Sequence, residues 1–176
     1  MRQSKDQDKI LSFMSLLQSY AKKKDIYNGS ALHADLIEKR LLEKSPCIAS
    51  AVINMYAKCG GLLKAQNVLE DLIVRDVFSW SSLTAGYAQN GKGHEALDCF
   101  DRMQKESLSS NEFTFACILK ACGSIGAIHK GKHIHNEIVH RGLLERNDVV
   151  GNALVDMYRK CGMLVKAQRV LDEIPV

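Results

Sequence analysis

Proline is nearly missing from this chain, with two residues in 176, so little interrupts a helix. Tryptophan occurs once, and no apolar run approaches the roughly 18 residues that a membrane-spanning helix needs. Cysteine is too sparse, at six residues, for a small disulfide scaffold. None forms C-x-x-C, and Cys117 and Cys122 are spaced to point in different directions on a helix. A reduced intracellular compartment is the natural reading. An excess of one charge is also lacking: 24 Lys and Arg against 20 Asp and Glu leave +4. That permits an anionic partner without demanding one, and it rules out a bare polycation. The amino-terminal stretch MRQSKDQDK is polar and holds two aspartates, unlike a signal or transit peptide.

What remains is ordinary globular composition, 46% hydrophobic and 25% charged, with glycines placed like punctuation. The chain also repeats itself. Residues 51–69, AVINMYAKCGGLLKAQNVL, return at 153–171 as ALVDMYRKCGMLVKAQRVL. Laid without a gap at this offset of 102, residues 11–74 match residues 113–176 at 21 of 64 positions. Average usage gives about one match in sixteen, or roughly four, by chance. The period is too long for one supersecondary unit and subdivides into pairs of short amphipathic helices.

Leu62, Ala65, Val68, Leu69 and Leu72 make one apolar stripe, copied by Leu164, Ala167, Val170, Leu171 and Ile174. Ala96, Phe100 and Met103 continue the pattern in the middle. The preceding helices carry Val52, Met55 and Tyr56, or Leu154, Met157 and Tyr158. Lys-Cys-Gly at 58–60 and at 160–162 predicts a helix end with glycine in the left-handed region, and Gly91 and Gly126 punctuate two further units. No segment alternates as a strand does. Small Ala65, Ala96 and Ala167 admit a neighbouring helix closely, and such pairs bury their stripes only by stacking. The fold class expected is an all-α solenoid.

The segments WSSLTAGYAQNGKGHEALDCFDRMQ, TFACILKACGSIGAIHKGKHIHNEIVHRG and GNALVDMYRKCGMLVKAQRVLDEIP resemble pentatricopeptide repeat (PPR) proteins. More narrowly they resemble the plant PLS subclass, which cycles through standard, long and short motifs. The chain then parses as a leftover at 1–9, a long motif at 10–45, a short one at 46–76, a standard one at 77–111, a long one at 112–147, and a truncated short motif at 148–176. Motif lengths of 35, 36 and 31 residues reproduce the offset of 102. Tetratricopeptide repeats, also helix pairs of similar period, fit less well: Trp80 appears once, and Pro46 and Pro175 do not recur at one repeat spacing.

The resemblance implies a right-handed superhelix of helix-turn-helix repeats that binds single-stranded RNA, one base per repeat. The fifth and last residues of each motif would meet a base edge: Met14 with Ser45, Ser50 with Asp76, Ser81 with Asn111, and Ala116 with Asn147. Asn152 is the fifth residue of the final motif. Ser81 with Asn111 resembles an adenine reader and Ser50 with Asp76 a guanine reader, since a carboxylate only accepts hydrogen bonds. Met14 and Ala116 depart from the polar pattern, as long motifs often do. The second residues, Leu11, Cys47, Phe78, Phe113 and Val149, would sandwich bases. Plainer roles stand beside these: Ser50, Ser81 and Asn152 as caps near helix starts, Asp76 as a charge at a positive helix end, and Phe78 and Phe113 as core.

The family further implies a mitochondrial or chloroplast factor in RNA editing or processing, and small editing-factor proteins as partners. The alternative is a protein-interaction scaffold. No enzyme is expected within these residues. Relatives often continue into a zinc deaminase domain, whose signature pairs H-x-E with P-C-x-x-C. His135-Asn136-Glu137 spells the first, but Ser50 stands where the second Cys after Pro46-Cys47 belongs, and the repeat partner of His135, His33, reads H-x-D. His129 and His133 share a helical face with no thiolate or carboxylate in register, so a polar surface is expected for the cluster and no metal or other cofactor. Lys22, Lys23 and Lys24 read as a solvated face. The array lacks polar capping helices, so self-association through its ends is expected.

Overall fold

A computed structural model describes residues 2–144 and 148–174 of the chain. All regular structure among them is helical: α1 (Arg2–Lys23), α2 (Ile26–Glu38), the single turn α3 (Leu41–Lys44), α4 (Pro46–Lys58), α5 (Leu62–Asp71), α6 (Val77–Gln89), α7 (Gly93–Lys105), α8 (Glu112–Ile125), α9 (Ile128–His140), α10 (Asp148–Lys160) and α11 (Leu164–Glu173). Helices start at 46, 77, 112 and 148, where the parse into motifs opens each unit. The first boundary differs. α1 begins at Arg2 and runs through residue 10, because the polar segment before it holds neither proline nor glycine to stop a helix. The chain forms two compact units, 1–86 and 87–176, divided within α6.

In the first unit α4 packs on α1, α2 and α5. Its Ile48, Val52, Ile53 and Met55 are fully buried, and so are Leu17 of α1, Leu36 of α2 and Leu69 of α5. In the second unit α10 packs on α8, α9 and α11, with Phe115, Ile118, Leu119, Ile134, Leu154 and Met157 fully buried. Each such side chain contributes about 2 kcal/mol on leaving water. The expected stripe holds in α5, and the small residues Ala65, Ala96 and Ala167 are all buried. It holds only in part in α11. Ala167 and Val170 are covered, but Leu164 and Leu171 are exposed, unlike Leu69; among the described helices α11 packs on α10 alone.

The identities at offset 102 have a shared structural cause. A Cβ placed on Gly29 would stand 2.4 Å from Met55 Sδ, and one on Gly131 would stand 2.7 Å from Met157 Sδ. Across the same two interfaces His33 Nδ1 lies 3.0 Å from the Tyr56 hydroxyl, and His135 Nδ1 lies 2.8 Å from that of Tyr158. The rings meet edge to face, with centroids 5.4 and 5.5 Å apart. Lys64 and Lys166 close each group from above, 5.6 and 5.9 Å from the tyrosine centroids. This corrects the expected polar surface at the histidine cluster: His129 and His133 are exposed, but His135 is half-buried and ties α9 to α10. Its period matched that of the core, so its polarity was a poor guide.

Gly60, Gly91, Gly126 and Gly162 take positive φ, as their spacing predicts. Two positions break the pattern informatively. Lys24 and Arg40 occupy the repeat places of Gly126 and Gly142, and both sit in the left-handed region, at φ 56° and 52°. Replacing Lys24 or Arg40 by Gly removes this strain against a smaller entropic cost in the unfolded chain, and each change is expected to stabilise by about 0.5–1 kcal/mol. Urea midpoints of the single variants test this; a lower midpoint for both refutes it.

Burial holds the imidazoles of His33 and His135 below the ordinary value of 6.5. Their unfolded forms therefore bind protons first as the pH falls. Stability attributable to the two ties is present above pH 6.5 and is lost as the pH drops through the depressed folded values. Denaturation midpoints measured from pH 7.5 to 5 should fall for the native chain and fall less for the His33→Gln, His135→Gln double variant.

Candidate nucleic-acid interface

Ser45, Asp76 and Asn111 stand immediately before α4, α6 and α8, and Cys47, Phe78 and Phe113 are the second residues of those helices, with Ser50, Ser81 and Ala116 three residues further on. Second and fifth residues are thus neighbours on one helical face. The second-position residues are solvent-facing throughout: Leu11, Phe78, Phe113 and Val149 are 60%, 60%, 53% and 63% exposed, and Cys47 is exposed as well. Phe78 and Phe113 are therefore not core. Leaving two aromatic rings and two aliphatic side chains in water forgoes burial energy that the rest of each helix collects.

The fifth-position residues are not caps either. Ser50, Ser81 and Asn152 lie inside α4, α6 and α10, a full turn past the helix start. The Ser50 hydroxyl donates to the Cys47 carbonyl at 3.1 Å, and that of Ser81 donates to the Val77 carbonyl. Ser50 is half-buried and Asn152 exposed, whereas Ser81 is only 3% exposed. Met14 and Ala116 are half-buried at the equivalent places in α1 and α8.

Capping falls to the last-position residues. Asp76 Oδ1 accepts from the Ser79 amide at 2.8 Å, while the Asp76 amide donates to Ser79 Oγ at 3.0 Å, a reciprocal cap on α6. Asn111 Oδ1 accepts from the amide and the hydroxyl of Thr114, both at 2.8 Å, at the start of α8. These bonds fix which atoms each side chain has left. Asp76 keeps a second carboxylate oxygen, an acceptor; Asn111 keeps its amide NH2, two donors. Ser45 at the start of α4 is buried and makes no capping bond through its side chain. Asn147 lies outside the described residues.

Nothing in this arrangement resembles a metal centre: among the described residues no group of three or more His, Cys, Asp or Glu could hold an ion. Nor is any described helix long and apolar enough to cross a membrane. The features that sequence reasoning missed are the His–Tyr ties and the cations beside one of them. Their signal was present in the conservation of His33, Tyr56 and Lys64 as His135, Tyr158 and Lys166 across the internal repeat.

Within each unit, helices packed pairwise and carrying exposed apolar residues on their first helices define a helical-repeat protein. The sequence model of the PPR repeat family matches residues 75–124, and that of the PPR repeat matches residues 48–77 and 152–175. The chain belongs to the pentatricopeptide repeat family. A pentatricopeptide repeat-containing protein of Arabidopsis thaliana is 36% identical over 165 residues, spanning 94% of this chain and 24% of that relative. A mitochondrial relative of the same plant is 38% identical over 91% of the chain and 17% of its own length, and a chloroplastic one 39% identical over 93% and 31%. The chain thus spans between 16% and 31% of the length of these curated relatives. Among solved structures, that of PPR10 in complex with an 18-nucleotide psaJ RNA element superposes with a TM-score of 0.68 at 22% identity, over 92% of this chain and 24% of that one. The structure of PPR10 from maize gives 0.66 at 21% identity over the same shares.

Exposure and thiol chemistry separate the six cysteines. All are thiols outside disulfides; burial pushes the Cys117 thiol up to about 11 and that of Cys122 up to about 12. Iodoacetamide at pH 8 should therefore modify Cys47 first and Cys117 and Cys122 last. Peptide mapping by mass spectrometry over time checks the order, and early labelling of Cys122 contradicts the burial described here.

Proposed function

We propose that this chain is the RNA-reading portion of an organellar PPR protein of the PLS type, binding single-stranded RNA with about one base per motif. The observation that carries the reading is the exposure of the apolar second-position residues, each one turn from a fifth-position residue on its own helix. Flat bases against these side chains would cover apolar surface that the fold leaves open, with stacking on Phe78 and Phe113 worth about 1–3 kcal/mol per base. The shared fold with PPR10, whose solved complex contains RNA, supports it, and so does the agreement of helix starts with the long, short and standard motif order.

Capping then selects the base. The NH2 of Asn111 donates, which suits the N1 acceptor of adenine; the remaining oxygen of Asp76 accepts, which suits the N1–H and N2–H donors of guanine. Ser50 retains acceptor capacity on its hydroxyl. Ser81 is too covered to do more than steady its helix start, so readout in the standard motif rests on Asn111. Asn147 and Asn152 complete the set in the later motifs. The organelle names of the relatives support a mitochondrial or chloroplast setting, and RNA editing or processing, with editing-factor partners, is the role this chemistry would serve.

Asn111→Asp is the informative variant, because aspartate caps α8 equally well and changes only the atoms presented. Selection from a randomised single-stranded RNA pool should enrich a G-A step with the native chain and a G-G step with the variant. Affinity should fall steeply as salt rises. A folded, helical protein that enriches nothing overturns the proposal and leaves the scaffold reading in front.

A further inference from the structure

The two His–Tyr ties are alike, but their surroundings have diverged. Beside His135 lies a cavity of about 320 Å³ lined by Lys132, Asn136, Tyr158, Lys166, Arg169 and Glu173, drawn from α9, α10 and α11. Three cations face it against one carboxylate, and none of the three forms an ion pair among the described residues. His135 Nε2 is buried there without a hydrogen-bond partner. In the tautomer whose Nδ1 accepts from the Tyr158 hydroxyl, 2.8 Å away, Nε2 carries the ring proton and is a donor.

At the first copy the same places hold Ser30, Ala34, Tyr56, Lys64, Asn67 and Asp71. There Ser30 Oγ accepts from Lys64 Nζ at 3.3 Å and from the Tyr56 hydroxyl at 3.4 Å, so the polar groups satisfy one another. Lysine in place of Ser30 and arginine in place of Asn67 turn a neutral, self-satisfied cluster into one with two surplus positive charges. The volume admits a tetrahedral oxyanion with ordered water. No lining residue is a second, fifth or last residue of a motif, so the cavity shares no side chain with the expected base readers.

We propose that this cavity is a phosphate-binding site, in which Lys132, Lys166 and Arg169 supply the charge and His135 Nε2 a hydrogen bond. The inference does not depend on the RNA reading above. Three cations without ion-pair partners among the described residues, two half-buried and one exposed, together with an unpartnered ring nitrogen, offer an oxyanion both charge and a hydrogen bond.

Titration of the whole chain with inorganic phosphate, followed through the histidine ring signals by NMR, tests it. His135 should shift saturably while His33 stays still. Lys132→Ser with Arg169→Asn, which installs the pair the first copy carries in the same fold, should weaken binding at least tenfold with an unchanged circular dichroism spectrum. Ser30→Lys with Asn67→Arg should make His33 respond. Equal responses of His33 and His135 in the native chain, or an unaffected Lys132→Ser, Arg169→Asn variant, overturns the site. Competition then identifies the source: displacement of phosphate by a nucleoside monophosphate alone assigns a small phosphomonoester, and displacement by a 5′-hydroxyl dinucleotide assigns an RNA backbone phosphodiester. Displacement by neither shows an adventitious ion only and overturns the proposal.

Discussion

The missing side chain at Gly29 and at Gly131 sets how near a second helix comes to the first helix of the following motif. Met55 and Met157 occupy the space a Cβ would fill, so the thioether lies directly on the backbone of α2 or α9. Only at that separation do His33 and His135 reach their tyrosines, and only then do Lys64 and Lys166 come over the same rings. A methionine is the adaptable choice for such a slot, since its unbranched chain conforms to a helix surface. Every later feature of a unit inherits this spacing, because α4 and α10 are also the helices on which α1 and α8 pack.

From that packing follows the division of labour around each first helix. One side is consumed by neighbouring helices, which bury Val52, Met55 and Tyr56 or Leu154, Met157 and Tyr158. The start of the helix remains open, and there the chain keeps Cys47, Phe78, Phe113 and Val149 in water. The caps are part of this economy. Asp76 and Asn111 satisfy amides that α6 and α8 would otherwise leave orphaned, and the same bonds hold their remaining polar atoms in one orientation. A stability device thereby fixes the chemistry offered to a ligand, which is why a substitution that preserves the cap isolates the readout.

Repetition also lets the molecule serve as its own control. Where the two copies agree, at Gly, His, Met, Tyr and Lys, the agreement is explained by the shared interface. Where they differ, at Ser30 against Lys132 and Asn67 against Arg169, the difference changes which groups find partners. The same comparison explains two strained turns, since Lys24 and Arg40 hold conformations that their glycine counterparts adopt freely.

Periodicity in the sequence was sufficient for the helix pairs and their glycine-punctuated ends, because these follow from local backbone geometry and a 3.6-residue rhythm; the family resemblance supplied the second, fifth and last positions of each motif. The sequence also pointed to an RNA reader through motif resemblance. It did not separate His135 from the exposed His129 and His133, nor Ser81 from Ser50, nor Leu171 from Leu69. Each of those pairs is identical in local chemistry and differs only in what packs against it. The burial of Ser81, the tie between His135 and Tyr158 and the cations gathered beside it were decided by tertiary structure, since only the meeting of helices distant in sequence determines which polar groups are covered and which of them find a partner.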